Sequence, residues 1–284
     1  MPARRLPIYF AHMHKAGGTT VVDDARWHGE TVDENGSGGF AYADTAAQLA
    51  HLRRRNISFL ALELMPRQLP SGVLMATLLR EPTERSVSHF AHTSFKLGLA
   101  APCPAYFAEW VGATLDNMMV RQLCGPACAG VAVGRLDRAH LDAALHRVSA
   151  MDVVGTLEDW PGFARQLGQL AGWKRPTPTG VASRVTPGTR DWQRAVSRDA
   201  ALAANRLDLE LYERAAAAAR NSSVRRRAPF ADAVATAAPA APAATAHVAY
   251  VSPLWCGRLL TQHGLGRCDP AKHFVNRTRT PCAR

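Results

Sequence analysis

The sequence predicts a three-layer α/β domain, with a mostly parallel central sheet flanked by helices. Two patterns carry that expectation. Short apolar runs bounded by glycine or charged residues recur between Pro7 and Leu157, and stretches of helical spacing separate them. The chain has 284 residues of 47% apolar content, enough to bury a core of that size.

Element by element, Pro7–His12 is a β-prone run broken by Gly17-Gly18, and Thr19–Trp27 is helix-compatible. Gly29–Gly39 reads as a loop, rich in Gly, Asp, Glu and Asn, and Thr45–Arg54 as a helix. Ile57–Leu62 and Val73–Leu79 are buried strands. Pro82 marks a helix start, with the helix running from Thr83 to about Phe95. Tyr106–Leu123, Asp137–Met151 and Phe163–Gly172 follow as helices, with Asp152–Leu157 a strand between the last two. Ser197–Ala219 forms a helix pair. The main domain takes in residues 1–226. An Ala/Pro-rich linker is expected over 227–247, and a Cys-containing C-terminal tail over 248–284.

Thirty-four basic against 23 acidic residues give a net charge of +11, which favours anionic partners. Only Lys15, Lys96, Lys174 and Lys272 are lysines, so a lysine inside a motif stands out. The six cysteines fall at 103, 124, 128, 256, 268 and 282. Cys124 and Cys128 are spaced for a small disulfide loop, and zinc would need two further ligands that are not nearby. Asn56-Ile57-Ser58, Asn221-Ser222-Ser223 and Asn276-Arg277-Thr278 are glycosylation sequons, which adds weight to a secretory lumen. No run reaches the roughly 18 apolar residues of a spanning helix. The apolar stretch after Met1–Leu6 stops at His12, too soon for a signal peptide.

The sharpest local signal is His12-Met13-His14-Lys15-Ala16-Gly17-Gly18-Thr19-Thr20, between a strand and a helix. Two glycines allow a tight turn in which successive N–H groups converge on an anion. The helix start adds unpaired N–H groups and a positive dipole end. Lys15 supplies a mobile charge, and Thr19 and Thr20 supply hydroxyls. Such a segment suits a phosphate or sulfate. It is not a GxxxxGK[ST] loop, because the lysine precedes the glycines.

A second half-site follows in Leu79-Arg80-Glu81-Pro82-Thr83-Glu84-Arg85-Ser86-Val87-Ser88-His89-Phe90. Arg80 ends a buried strand, where open α/β sheets bind ligands. Arg85 and Ser88 are three apart, spacing that puts them on one helical face beside it. An arginine fork with a hydroxyl receives a terminal phosphate well.

These two segments resemble the 5′-phosphosulfate loop and the 3′-phosphate motif of sulfotransferases that use 3′-phosphoadenosine 5′-phosphosulfate (PAPS). They are most similar to Golgi carbohydrate O-sulfotransferases of the heparan 2-O and 6-O type, which carry a PKTGGTT-like loop and an R-[DE]-P-x-x-R-x-x-S-x-[YF] stretch. Weaker likeness continues in Asp116–Gly125, Val154–Glu158 and Leu207–Tyr212, so the resemblance spans roughly residues 6–220. His14 replaces the proline and Ala16 a threonine; the latter removes a hydroxyl but keeps a backbone N–H.

The resemblance implies a P-loop-like fold and an enzyme that moves a sulfuryl group from PAPS to a carbohydrate hydroxyl. Lys15 would touch the sulfate or bridging oxygen. Gly17, Gly18, Thr19 and Thr20 would hold the 5′-phosphate, Ala16 would bind the donor near the sulfate through its backbone N–H, and Arg80 and Ser88 would hold the 3′-phosphate. No metal is expected, since lysine and backbone dipoles supply the positive field. Glu63, at the end of an apolar strand, stands where those enzymes place a histidine base; partial desolvation would strengthen it as a base. His28 and Glu30 are second choices. His12, His14, His89 and His92 are expected to serve packing or hydrogen bonding.

The acceptor class is carbohydrate, with an acidic polysaccharide suited to the positive charge; no nucleic acid is expected. The implied location is the Golgi lumen, with the membrane reached only through an anchor absent from this chain. Without an anchor or leader, the expectation is a soluble cytoplasmic protein. Two other readings compete. A P-loop-like nucleotide kinase would want GK[ST] and an acidic magnesium ligand. A non-catalytic polyanion-binding protein would use Arg53–Arg55 and Arg225–Arg227, but aromatic content is only 7% and no stacking motif is evident.

Overall fold

The computed structural model describes residues 6–34, 45–63, 65, 66, 69, 72–96, 107, 110, 111, 116–128, 130–175 and 198–221. The linker, the tail, Arg225–Arg227, Ser222-Ser223, the Asn276 sequon and the remaining four cysteines lie outside them.

Five strands form one all-parallel sheet: β1 (Ile8–Ala11), β2 (Val32–Glu34), β3 (Phe59–Leu62), β4 (Leu74–Leu79) and β5 (Val153–Thr156). Their spatial order is β2-β3-β1-β4-β5, so β1 is central. Ala11, its last residue, stands opposite Leu62 on one side and Thr77 on the other. Thr77 also donates its hydroxyl to the Ala11 carbonyl at 2.9 Å. The chain leaves β1 towards β2 and β3, then crosses to β4 and β5. That reversal makes the C-terminal ends of β3, β1 and β4 the switch point of the sheet.

Helices cover both faces, which explains why the inner strands are apolar throughout rather than alternating. Ile8, Phe10, Phe59, Ala61, Ala76 and Leu78 pack against α1 (Gly18–Trp27) and α6 (Trp160–Ala171). Tyr9, Ala11, Leu60, Leu62, Met75 and Leu79 face α2 (Thr45–Arg54), α4 (Met118–Leu123), α5 (Arg138–Ser149) and α8 (Arg206–Asn221). A third cluster joins Val87, Phe90 and Ala91 of α3 (Pro82–Lys96) to Phe107, Trp110, Met118 and Ala201 of α7 (Arg198–Ala204). The three-layer α/β expectation holds.

Two local expectations do not. Within the stretch read as a loop over Gly29–Gly39, Val32–Glu34 is a strand pairing with β3. Its Val-Asp-Glu sequence lacks an apolar run because it is an edge strand, and edges tolerate charge. The continuous helix expected over Tyr106–Leu123 is broken by a turn at Asp116-Asn117, where Asn117 has φ +46°. Asn117 Oδ1 accepts the N–H groups of Leu207 and Asp208 at 2.8 and 3.2 Å. The Asp208 carboxylate does the same for α4, accepting from Met119 and Val120 at 2.9 and 2.8 Å. Each side chain thus satisfies orphan donors of the other helix. Asn tolerates the left-handed turn this requires.

At the end of α4, Cys124 and Cys128 form a disulfide across four residues of sequence separation. No helix among the described residues is long and apolar enough to cross a membrane.

Candidate functional site

The glycine loop links β1 to α1. Lys15 and Gly17 both lie in the left-handed region, at φ +64° and +84°. At Gly17 a Cβ would sit 2.8 Å from Leu157 Cδ1, and at Gly18 one would fall 1.8 Å from the His12 ring. Both positions therefore demand glycine. The N–H groups of Gly17, Gly18 and Thr19 have no acceptor among the described residues, and neither does the Thr19 hydroxyl. Three orphan donors beside a helix N-terminus make an anion-favouring surface.

Ala16 does not belong to that surface. Its methyl is buried in the core, and its N–H donates to the Met13 carbonyl at 3.2 Å. Its role there is packing. The Thr20 N–H is likewise used, bonding to the Gly17 carbonyl at 2.9 Å.

Arg80 follows β4 directly, and its Nη1 donates to the Lys15 carbonyl at 3.3 Å. The two half-sites therefore share one sheet edge. Arg80 also faces Glu84 at 3.7 Å, and burial lowers its pKa against the pull of Glu84, Glu158 and Glu81. Glu81 caps α3, with its two carboxylate oxygens accepting from Thr83 and Glu84 N–H at 3.0 and 2.8 Å. Glu158, after β5, accepts the Glu81 N–H at 3.0 Å and the Tyr212 hydroxyl at 2.9 Å. The Ser88 hydroxyl is largely buried and has no partner among the described residues.

The expected arginine fork does not form. Arg85 has no exposed surface and points into the core, where its Nη2 lies 3.9 Å from Asp208. Burial pushes Asp208 up to about 6 against the opposing effects of Arg85 and two backbone donors. Arg85 is the charge partner of the helix-cap interlock, which leaves Arg80 as the arginine of this segment that reaches the glycine turn.

Glu63 lies in a bend immediately after β3 and is 2.9 Å from His14 Nδ1. Both remain partly open to solvent, with side-chain exposures of 23% for His14 and 29% for Glu63. The His14 ring meets His89 edge-on at 4.3 Å, His92 lies 6.3 Å away, and His89 abuts Trp110 at 5.1 Å. Enclosure holds the His89 pKa well below the usual imidazole value, with His14, Arg85, Lys15 and His92 adding repulsion. Its Nδ1 is sealed without a partner among the described residues.

His12 serves packing, as expected. Its ring covers Gly18 and stacks on Phe10 at 5.9 Å, and burial lowers its pKa. The Gln122 amide fixes its carbonyl at 2.9 Å. His28 and Glu30 sit beyond the far end of α1, about 15 Å of helix away from the glycine turn. There Glu30 accepts the Trp173 indole N–H at 2.7 Å and His28 stacks on that ring at 4.2 Å. They are not brought to the site.

His14 serves hydrogen bonding, as expected, but its partner Glu63 lies 49 residues away and cannot be read from spacing. No group of His, Cys, Asp and Glu among the described residues is arranged to hold a metal. No family model matches the chain, and no curated protein does.

Proposed function

We propose that this protein transfers a sulfuryl group from PAPS to a hydroxyl of a carbohydrate acceptor, within a secretory lumen. One observation carries the reading. The lysine-glycine turn after β1 and Arg80 after β4 lie at the same end of the sheet, joined by the hydrogen bond from Arg80 to the Lys15 carbonyl. A donor with phosphates at both its 5′ and 3′ positions needs two anion receivers in such proximity, one aligned for in-line transfer.

The residues present fit that donor. Gly17, Gly18 and Thr19 offer unsatisfied N–H groups for the 5′-phosphate, and Arg80 with the Ser88 hydroxyl would receive the 3′-phosphate. Lys15 neutralises charge on the bridging oxygen. Acceptor chemistry belongs on the Glu63 side of the turn, next to Lys15 through His14.

The test is titration of the purified chain with 3′-phosphoadenosine 5′-phosphate, read as thermal stabilisation. Saturable stabilisation that is lost in Lys15→Ala and in Arg80→Ala supports the proposal. Stabilisation by ATP with magnesium alone favours a kinase, and no nucleotide response favours a polyanion-binding scaffold.

A further inference from the structure

Glu63 and His14 come from different strand ends but meet as a hydrogen-bonded pair, with Oε1 and Nδ1 2.9 Å apart. An ionised carboxylate can only accept, so the proton of this contact resides on Nδ1. That choice leaves Nε2 with its lone pair, and Nε2 has no partner among the described residues. A carboxylate behind an imidazole fixes the tautomer, orients the ring and stabilises the imidazolium that forms on proton uptake. By the same contact Glu63 has an oxygen committed to His14.

Position separates the two groups further. His14 is one peptide bond from Lys15, whose carbonyl accepts from Arg80, so it belongs to the glycine turn itself. Glu63 belongs to another strand end. The other imidazoles nearby are poorly placed to take a proton from an acceptor. His12 lies over Gly18, and His89 has its Nδ1 buried and its ring edge-on to Trp110 at 5.1 Å. His92 stands 6.3 Å from the His14 ring centre. Among the described residues the groups that face His14 are Glu63, His89 and His92, with His12 and Lys15 close by in the chain, and of these only Glu63 is anionic.

We infer that His14 is the catalytic residue that takes the acceptor proton, with Glu63 as its positioning residue. This rests on the sulfotransferase reading above. In the step, Nε2 removes the proton from the acceptor hydroxyl while that oxygen bonds to sulfur. The bond between sulfur and the 5′-phosphate oxygen breaks, and its electron pair leaves with 3′-phosphoadenosine 5′-phosphate. The imidazolium then returns its proton to solvent, so the sum is sulfate ester, bisphosphate and one proton.

Long-range 1H–15N correlation on the unliganded full chain at pH 8 tests the arrangement directly. The His14 proton is expected on Nδ1, and Glu63→Ala is expected to shift it to Nε2. Turnover with labelled PAPS and de-O-sulfated heparin reads the chemistry. There His14→Ala should lose about a hundredfold in kcat, partly regained with added imidazole, while affinity for 3′-phosphoadenosine 5′-phosphate is kept. Glu63→Gln should lose less. A wild-type proton on Nε2, or a larger loss in Glu63→Gln than in His14→Ala, overturns the assignment. Failure of the wild-type chain to bind the bisphosphate removes the sulfotransferase reading instead, a result separate from the tautomer.

Discussion

Arg80 donates to the backbone carbonyl of Lys15 across 3.3 Å, joining residues 65 apart in the chain. The contact uses only one side of the guanidinium, and Glu84 at 3.7 Å takes up another. Under the proposed function, an incoming phosphate would have to share Arg80 with that carboxylate or displace it.

Glu84→Gln is therefore expected to tighten binding of 3′-phosphoadenosine 5′-phosphate. The pair is partly exposed, so the gain is modest, up to about fivefold. Isothermal titration reads it. Unchanged or weaker affinity would show that Glu84 does not compete for Arg80.

Gly18→Ala drives a methyl into the His12 ring, which lies 1.8 Å from where Cβ would sit. Overpacking of this kind costs about 1–3 kcal/mol. Urea denaturation should show that loss, and adding His12→Ala should restore part of it. Strict additivity of the two changes would place the strain elsewhere.

The cap interlock gives a graded series. Asn117→Ala removes the acceptor of two α8 donors and is expected to cost about 1–2 kcal/mol. Asp208→Ala also removes the carboxylate 3.9 Å from the buried Arg85 and should cost more, about 3–5 kcal/mol. Equal losses in denaturant unfolding would mean that this carboxylate does not stabilise Arg85.

His89 gives the protein an acid-sensitive stability. In the folded state its enclosed ring resists protonation, whereas the unfolded imidazole takes up a proton below about pH 6.5. Between those limits the unfolded chain holds more protons, so stability rises with pH and falls on acidification. His89→Gln should flatten the profile between pH 7.5 and 5 by up to about 1.4 kcal/mol per pH unit. Parallel profiles for the two proteins would contradict this.

Much of the fold was legible because the inner strands are buried on both faces. Phe59–Leu62 and Leu74–Leu79 announce themselves as apolar runs, and the glycine pair after Ala11 marks the turn into α1. The edge strand Val32–Glu34 was not legible, since its pairing leaves no hydrophobic trace. At the site, the glycines and Arg80 could be found by local chemistry. Arg85 could not be assigned, because its partner Asp208 lies on a distant helix and turns the side chain inward. Nor could Ala16, whose N–H is claimed by Met13 through a local bend that composition does not encode.

Placing the glycine turn at the tip of the middle strand has a mechanical result. Ala11 is flanked on both sides and further fastened by the Thr77 hydroxyl, so the turn's anchor cannot fray as a peripheral loop does. Loosening it would require pulling apart the innermost hydrogen-bond ladders, an event close in cost to global unfolding. If the turn receives an anion as proposed, little ordering of its own backbone is demanded, and affinity would be set mainly by how readily water and neighbouring carboxylates yield.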